Sequence, residues 1–116
     1  MAAADNESLI RRYVDELNQR NLDILDELVA EEVDFEDRVV THAEYRAMIV
    51  GRIAAMPDYH VTIDHAGADE ITASIRWTYR GTLAANAAPI EGHAATAYTI
   101  TDGRITAVRD VAVRGG

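Results

Sequence analysis

Residues 98–113 read YTITDGRITAVRDVAV, a pattern typical of a β-hairpin. Asp102 and Gly103 stand between two runs that are rich in Val, Ile and Thr. A type I′ turn needs positive φ at both central residues, and Asp and Gly tolerate that conformation. The segment therefore predicts one strand from His93 to Thr101 and a second from Arg104 to Val113.

The second strand of this hairpin carries one acidic residue, Asp110. Side chains two residues apart share a strand face, so Asp110 lies with Val108 and Ala112, away from Arg109. A carboxylate on an apolar strand face is either a rim charge paired with an Arg or a buried functional group. On the concave side of a curved sheet it is a candidate general acid or base.

The residues before Tyr59 have helical periodicity, with apolar side chains recurring every three or four residues. The predicted helices run from about Glu7 to Gln19, from Leu22 to about Ala30 and from about His42 to Ala55. Asp5 or Asn6 is the expected cap of the first helix. Thr41 and Glu44 are spaced as a capping box at the start of the third.

From Tyr59 onward the apolar pattern has a period of two, which indicates strands. A short strand over Glu31–Asp37 precedes them, a turn over Ala66–Glu70 separates the first two long strands, and a loop over Gly81–Gly92 follows. The residues expected on the inward face are Tyr59, Val61, Ile63, His65, Ile71, Ala73, Ile75, Trp77, Tyr79, Ala94, Thr96, Tyr98 and Ile100. The opposite face, from Thr72 to Arg80, is either solvated or a dimer surface. The order of elements predicts an α+β fold in which helices cover one face of a curved antiparallel sheet.

Composition narrows the classes of function. The 116 residues fit one domain, and the absence of cysteine excludes disulfide scaffolds and thiolate metal sites. The net charge of −9 argues against nucleic acid and anionic membranes as partners, because both repel an acidic surface. No apolar run is close to the length of about 20 residues that a membrane-spanning helix needs. No secretory signal is visible. The expected location is therefore cytoplasmic.

Histidines and aromatic residues are the remaining site candidates. His60 and His65 are five residues apart on one strand and face opposite ways, so the sequence predicts neither a metal site nor a cofactor. No phosphate loop or nucleophile motif is present. His65 is either a polar group of a pocket or a satisfied core residue. The aromatic residues that either fill the core or contact a ligand are Trp77, Tyr79, Tyr98 and Tyr13.

The chain resembles the SnoaL-like group of polyketide cyclases within the nuclear-transport-factor-2-like superfamily. The residues that carry the resemblance are IRWTYRGT at 75–82, PIEG at 89–92, DGRI at 102–105 and Arg109-Asp110. It covers nearly the whole chain and implies a single domain over residues 1–116, with a cone-shaped curved antiparallel sheet and three N-terminal helices packed on its concave face. In those cyclases an Asp near the end of the last strand is the acid/base group, and Asp110 stands at that position.

The resemblance is incomplete at the catalytic positions. The cyclases use a His on the preceding strand, and Thr96 stands at that position here. The limonene-epoxide-hydrolase group has an Arg-Asp pair similar to Arg109-Asp110. Its earlier Arg-x-Asp pair is Arg76-Trp-Thr78 in this sequence, so the Arg is present and the Asp is replaced.

These observations favour an enzyme with a small-molecule pocket. We expect cofactor-independent acid/base chemistry, such as cyclisation, isomerisation or epoxide opening, on an apolar polyketide-like substrate, with Asp110 moving the proton. The expected substrate contacts are Tyr98, Trp77, Tyr79, His65, Tyr13 and Thr96. The alternative is a non-catalytic ligand-binding or dimerisation module of the same fold, which the incomplete catalytic sets favour.

Overall fold

A computed structural model describes residues 3–111, and this part of the chain holds three helices and one six-stranded sheet. The elements in chain order are α1 (Ala3–Asn18), α2 (Ile24–Leu28), β1 (Val29–Phe35), β2 (Arg38–Thr41), α3 (His42–Ala55), β3 (His60–Ala68), β4 (Thr72–Thr82), β5 (Pro89–Thr101) and β6 (Arg104–Val111). The helices pack against the concave face of a curved, open sheet, which confirms the predicted α+β class. No helix in the described range is long and apolar enough to cross a membrane.

The strand order is β2-β1-β6-β5-β4-β3, so β6 is an inner strand. Strands β3 to β6 form the expected antiparallel meander. The sheet does not end there, because β1 pairs with β6 in parallel through Val29 with Ile105 and Phe35 with Val108. The sheet is therefore mixed, whereas the sequence predicted antiparallel pairing throughout.

Helix α3 confirms its prediction at both ends. The Thr41 hydroxyl accepts a hydrogen bond from the Glu44 backbone N–H at 3.1 Å, and the Glu44 carboxylate accepts one from the Thr41 N–H at 3.0 Å. This reciprocal pair satisfies two donors that a helix start leaves without partners. The helix ends at Ala55, just before Pro57.

The prediction for the start of α1 is wrong. Asp5 and Asn6 lie inside the helix, which begins by Ala3, and so neither is its cap. Asn6 is fully buried, and its amide donates to the backbone oxygen of Asp69 at 2.9 Å. A side chain that bonds another element does not compete with the backbone of its own helix, so Asn is tolerated here.

The first hairpin was only partly predicted. Its first strand is β1 (Val29–Phe35) and not Glu31–Asp37, the predicted second helix ends at Leu28 and not at about Ala30, and the second strand was not expected. Glu36 and Asp37 turn the chain with φ of 52° and 66°, and β2 follows at once. Both side chains hold β6, since Glu36 accepts from the backbone N–H of Asp110 and Asp37 pairs with Arg109. These contacts stabilise a left-handed turn that contains no glycine.

The final hairpin confirms the expected turn, with φ of 51° at Asp102 and 76° at Gly103. An irregularity between Thr99 and Ile100 then shifts the β5–β6 register. Thr106 consequently has no partner residue on β5. Ile105 and Val108 consequently both point inward and are buried.

Gly103→Ala should lower the free energy of unfolding by about 1–2 kcal/mol, because a Cβ is disfavoured in the left-handed region. Gly51→Ala is the matched control. Gly51 lies within α3, and beyond the helix's own backbone nothing lies within 4 Å of an added Cβ. That change should raise the free energy of unfolding by about 0.5–1 kcal/mol. Urea unfolding measures both, and a stabilised Gly103→Ala variant would contradict the turn assignment.

A β-bulge at Asp64 corrects the predicted inner face of β3. Ile63 pairs with Trp77 and His65 pairs with Arg76, so Asp64 is the extra residue. The bulge reverses the alternation, and His65 lies exposed on the outer face. Ala66 takes the next inward position and packs against the core.

The connections between the long strands are also shorter than expected. β3 continues to Ala68, and Asp69 closes the turn by accepting from the backbone N–H groups of Ile71 and Thr72 at 2.8 and 2.7 Å. Ile71 therefore lies in the turn, where 64% of it is exposed, and not on the inner face. The predicted loop Gly81–Gly92 is reduced to residues 83–88, because the flanking strands extend to Thr82 and from Pro89.

The core lies between α1, α2 and the sheet. Its apolar residues with 0% exposure are Ile10, Leu25, Val33, Ala73 and Ile105. In α3 only Tyr45 is buried, and its remaining inward residues are half-exposed. The end of the molecule beside α3 is therefore less filled, and the cavity lies there.

Candidate functional site

A cavity of about 130 Å³ lies between α1, α3 and the concave face of the sheet. Its wall is mostly hydrocarbon and aromatic, with four tyrosines among the aromatic residues, and five further residues carry amide, hydroxyl or charged groups. The apolar and aromatic lining consists of Tyr13, Val14, Leu17, Phe35, Tyr45, Met48, Ile49, Ile53, Tyr59, Val61, Ile75, Trp77, Tyr98 and Val108; the others are Asn18, Arg20, Arg52, Thr96 and Asp110. An apolar pocket with a few polar groups is the usual form of a small-molecule site.

Asp110 lines this cavity from β6 and is exposed to solvent. Its exposure places it at the rim of the cavity, and its pairing with Thr96 places it on the inward face of the sheet. Arg109 points to the other face and pairs with Asp37, and within residues 3–111 Asp110 forms no ion pair. The carboxylate thus combines the position of a rim charge with a free, cavity-facing orientation.

A chain of two hydrogen bonds connects Asp110 to the cavity wall. The indole N–H of Trp77 donates to the Thr96 hydroxyl at 2.9 Å, and this hydroxyl donates to Asp110 Oδ1 at 3.0 Å. Thr96 is 2% exposed, so it serves the carboxylate from within the sheet and presents little surface to a ligand. Three adjacent strands, β4, β5 and β6, supply the three residues.

Tyrosines form the deep wall of the cavity. The hydroxyls of Tyr13 and Tyr45 are hydrogen-bonded at 2.6 Å, and the ring of Tyr13 meets that of Tyr98 edge-on with centroids 5.9 Å apart. Within the described chain the Tyr98 hydroxyl has no hydrogen-bond partner. Burial raises the pKa of Tyr13 and of Tyr98 well above the ordinary tyrosine value, so both stay protonated donors near neutral pH.

Arg52 brings a positive charge to the cavity. Its guanidinium lies 5.9 Å from the centre of the Tyr59 ring, within the range of a cation–π contact. Burial raises the pKa of Tyr45, and the charge of Arg52 opposes this rise while that of Asp110 adds to it. Arg52 was not among the predicted site residues, although it follows the inward Tyr45 by two helical turns and so shares its face.

The structure gathers five of the seven expected site residues around the cavity: Asp110, Tyr98, Trp77, Tyr13 and Thr96. Tyr79 is not among the lining residues, because its ring packs across Gly92 of β5 and beside Trp77, with ring centroids 5.5 Å apart. His65 lies on the outer face, as a consequence of the bulge. Among residues 3–111 no group of three or more His, Asp or Glu is placed to hold a metal ion.

The sequence matches one protein family, described as the SnoaL-like domain, over residues 10–108. No curated protein matches it.

Many solved structures share the fold. A SnoaL-like polyketide cyclase from Agrobacterium tumefaciens superposes with a TM-score of 0.82 at 22% identity, over 89% of this chain and 87% of that one. TsrD from Streptomyces laurentii gives 0.84 at 18% identity, over 96% and 90%. An LEH-like epoxide hydrolase from M. tuberculosis gives 0.77 at 15% identity, over 93% and 82%. At these identities the similarity shows a common fold alone.

Proposed function

The chain belongs to the SnoaL-like domain family, and on that premise we propose that it is an enzyme that performs acid/base chemistry on a small apolar molecule. The observation that carries the proposal is the Asp110 carboxylate, which faces an apolar cavity and forms no ion pair in residues 3–111. A carboxylate in that position can take a proton from a bound molecule and return it.

The chemistry follows from the groups around the cavity. Asp110 would remove a proton from a carbon next to a carbonyl group, and the electrons of the C–H bond would move to the carbonyl oxygen. The Tyr98 hydroxyl would donate a hydrogen bond to that oxygen, and Arg52 would offset its negative charge. Return of the proton to another carbon gives isomerisation. Attack of the enolate carbon on a second carbonyl carbon gives cyclisation: the electrons of that carbonyl move to its oxygen, which takes the proton back from Asp110.

Two features support an apolar, polyketide-like substrate. The wall offers mainly hydrocarbon and aromatic surface, which favours a ligand of the same character. A solved cyclase of the family and an epoxide hydrolase share this fold, which places cyclisation and epoxide opening among the reactions to test. Opening an epoxide would use the same carboxylate to activate water.

A second candidate, a non-catalytic binding module, rests on one observation. Thr96 stands where the resembling cyclases have a His, and a threonine hydroxyl does not titrate near neutral pH. Such a module would bind an apolar ligand in the same cavity without turnover.

The proposal can be tested without the natural substrate, using 5-nitrobenzisoxazole. A carboxylate base removes its C–H proton, the N–O bond breaks, and a coloured 2-cyano-4-nitrophenolate forms. We expect saturable turnover, faster than that of acetate at equal carboxylate concentration. We also expect it to persist after treatment with EDTA, because Asp110 acts without a metal.

Trp77, the single tryptophan, separates the alternatives, because a ligand in the cavity should change its fluorescence. Quenching by the probe without turnover would favour the binding module. Activity that is lost with EDTA and restored by zinc would overturn the cofactor-independent mechanism.

A further inference from the structure

We propose that Thr96, held by Trp77, orients the Asp110 carboxylate and is therefore a positioning residue for proton transfer. This inference rests on the proposed function and assigns Thr96 a role other than substrate contact.

The direction of both hydrogen bonds is fixed by chemistry. An indole N–H can only donate, so Trp77 occupies a lone pair of the Thr96 hydroxyl. An ionised carboxylate can only accept, so the single proton of that hydroxyl points to Asp110 Oδ1. A threonine hydroxyl rotates freely when it has a choice of acceptors. Because Trp77 donates to the Thr96 hydroxyl, the proton of this hydroxyl has one orientation, toward Asp110.

Because Thr96 is buried, its hydroxyl bonds Trp77 and Asp110 and not water. Thr96 is 2% exposed, so water has little access to replace either bond. Asp110 itself is exposed, and only its Oδ1 accepts a side-chain hydrogen bond within the described residues. Oδ2 stays available for a ligand. The bond from Thr96 thus defines which oxygen is held and which one can take a proton.

The outer face contains a similar pair without the same constraint. Thr78 donates to Asp64 Oδ2 at 2.6 Å, and its hydroxyl also lies 2.9 Å from His93 Nδ1. This pair lies in an exposed setting, where water competes for each group. It provides a matched control on the opposite side of the same sheet.

Thr96→Val keeps the shape of the side chain and removes the hydroxyl. With 5-nitrobenzisoxazole we expect kcat to fall about 10- to 100-fold, since small displacements of a catalytic group have effects of this size. KM should stay within about twofold, because Thr96 offers a ligand little contact surface. Thr96→Ser retains the hydroxyl and should restore most of kcat. Thr78→Val should leave both constants unchanged.

The fluorescence of Trp77 supplies a readout that does not depend on turnover. Thr96→Val removes the acceptor of the indole N–H, so its emission should differ from that of the wild type, while Thr96→Ser should match the wild type. Melting temperatures show that each variant is folded.

The outcomes separate the two proposals. If the wild-type protein turns over the probe and Thr96→Val has the same kcat, the positioning role is overturned and the proposed function stands. An equal loss of kcat in the Ser and Val variants also overturns it. If the wild-type protein does not turn over the probe, the proposed function fails. In that case a changed Trp77 emission in Thr96→Val still supports the Trp77–Thr96 hydrogen bond. An unchanged emission overturns that hydrogen bond.

Discussion

Asp110→Asn should reduce turnover of 5-nitrobenzisoxazole at least about 100-fold, because an amide cannot act as the base. The free energy of unfolding should change by no more than about 0.5 kcal/mol, as is usual for exposed positions. The amide oxygen of Asn can still accept the hydrogen bond from Thr96. Turnover kinetics and urea unfolding measure the two effects separately.

Asp64→Asn is the matched control for that substitution. Asp64 also accepts from a threonine hydroxyl across the sheet, and its removal changes the net charge by the same amount. It lies away from the cavity, so turnover should be unchanged. An Asp110→Asn protein that is destabilised but remains active would show that Asp110 has a structural role, and the proposed function would fail.

Ile105→Ala should lower the free energy of unfolding by about 2–5 kcal/mol. Ile105 has 0% exposure and lies where β6 meets both Val29 of β1 and Ile100 of β5. Removing its side chain takes apolar surface from the core and leaves a cavity between the sheet and the helices. The measured quantity is the midpoint and slope of urea unfolding.

Ile71→Ala makes the same chemical change in the β3–β4 turn, where the side chain is 64% exposed. Its effect should stay within about 0.5 kcal/mol. The pair also tests the correction made to the sequence pattern, which had placed Ile71 on the inner face. A large loss of stability in Ile71→Ala would support the original pattern instead.

Local chemistry explains which elements were predictable. The bounds of α3 follow from a capping box at Thr41 and from Pro57, and the last hairpin follows from Asp102-Gly103; each depends on neighbouring residues alone. The start of α1 was missed, because Asn6 bonds a turn that is distant in sequence.

Departures from regular alternation explain most of the other errors. The bulge residue Asp64 is neither Gly nor Pro, so nothing in the sequence marks it, and its consequence is the reversal of His65. The turn at Glu36-Asp37 lacks glycine and depends on contacts with β6. Such contacts depend on tertiary structure, which a local pattern does not contain.

Part of the candidate site was predictable, because the alternation of side chains along a strand is a local property of the sequence. A period of two placed Thr96, Tyr98 and Asp110 on the concave face, and the structure places them there. The bond between Trp77 and Thr96 could not be foreseen, since it depends on the register of β4 against β5 and on the orientation of two side chains. Arg52 was accessible from the helical period but was not recognised.

The inner position of β6 has a consequence for how the protein is made. During synthesis β1 and β5 both leave the ribosome before β6, so each presents an unpaired edge to other nascent chains, the kind of surface that promotes aggregation. The sheet becomes continuous only when residues 104–111 have emerged. Asp110 belongs to that segment, so an incomplete chain has neither a joined sheet nor the carboxylate on which activity would depend.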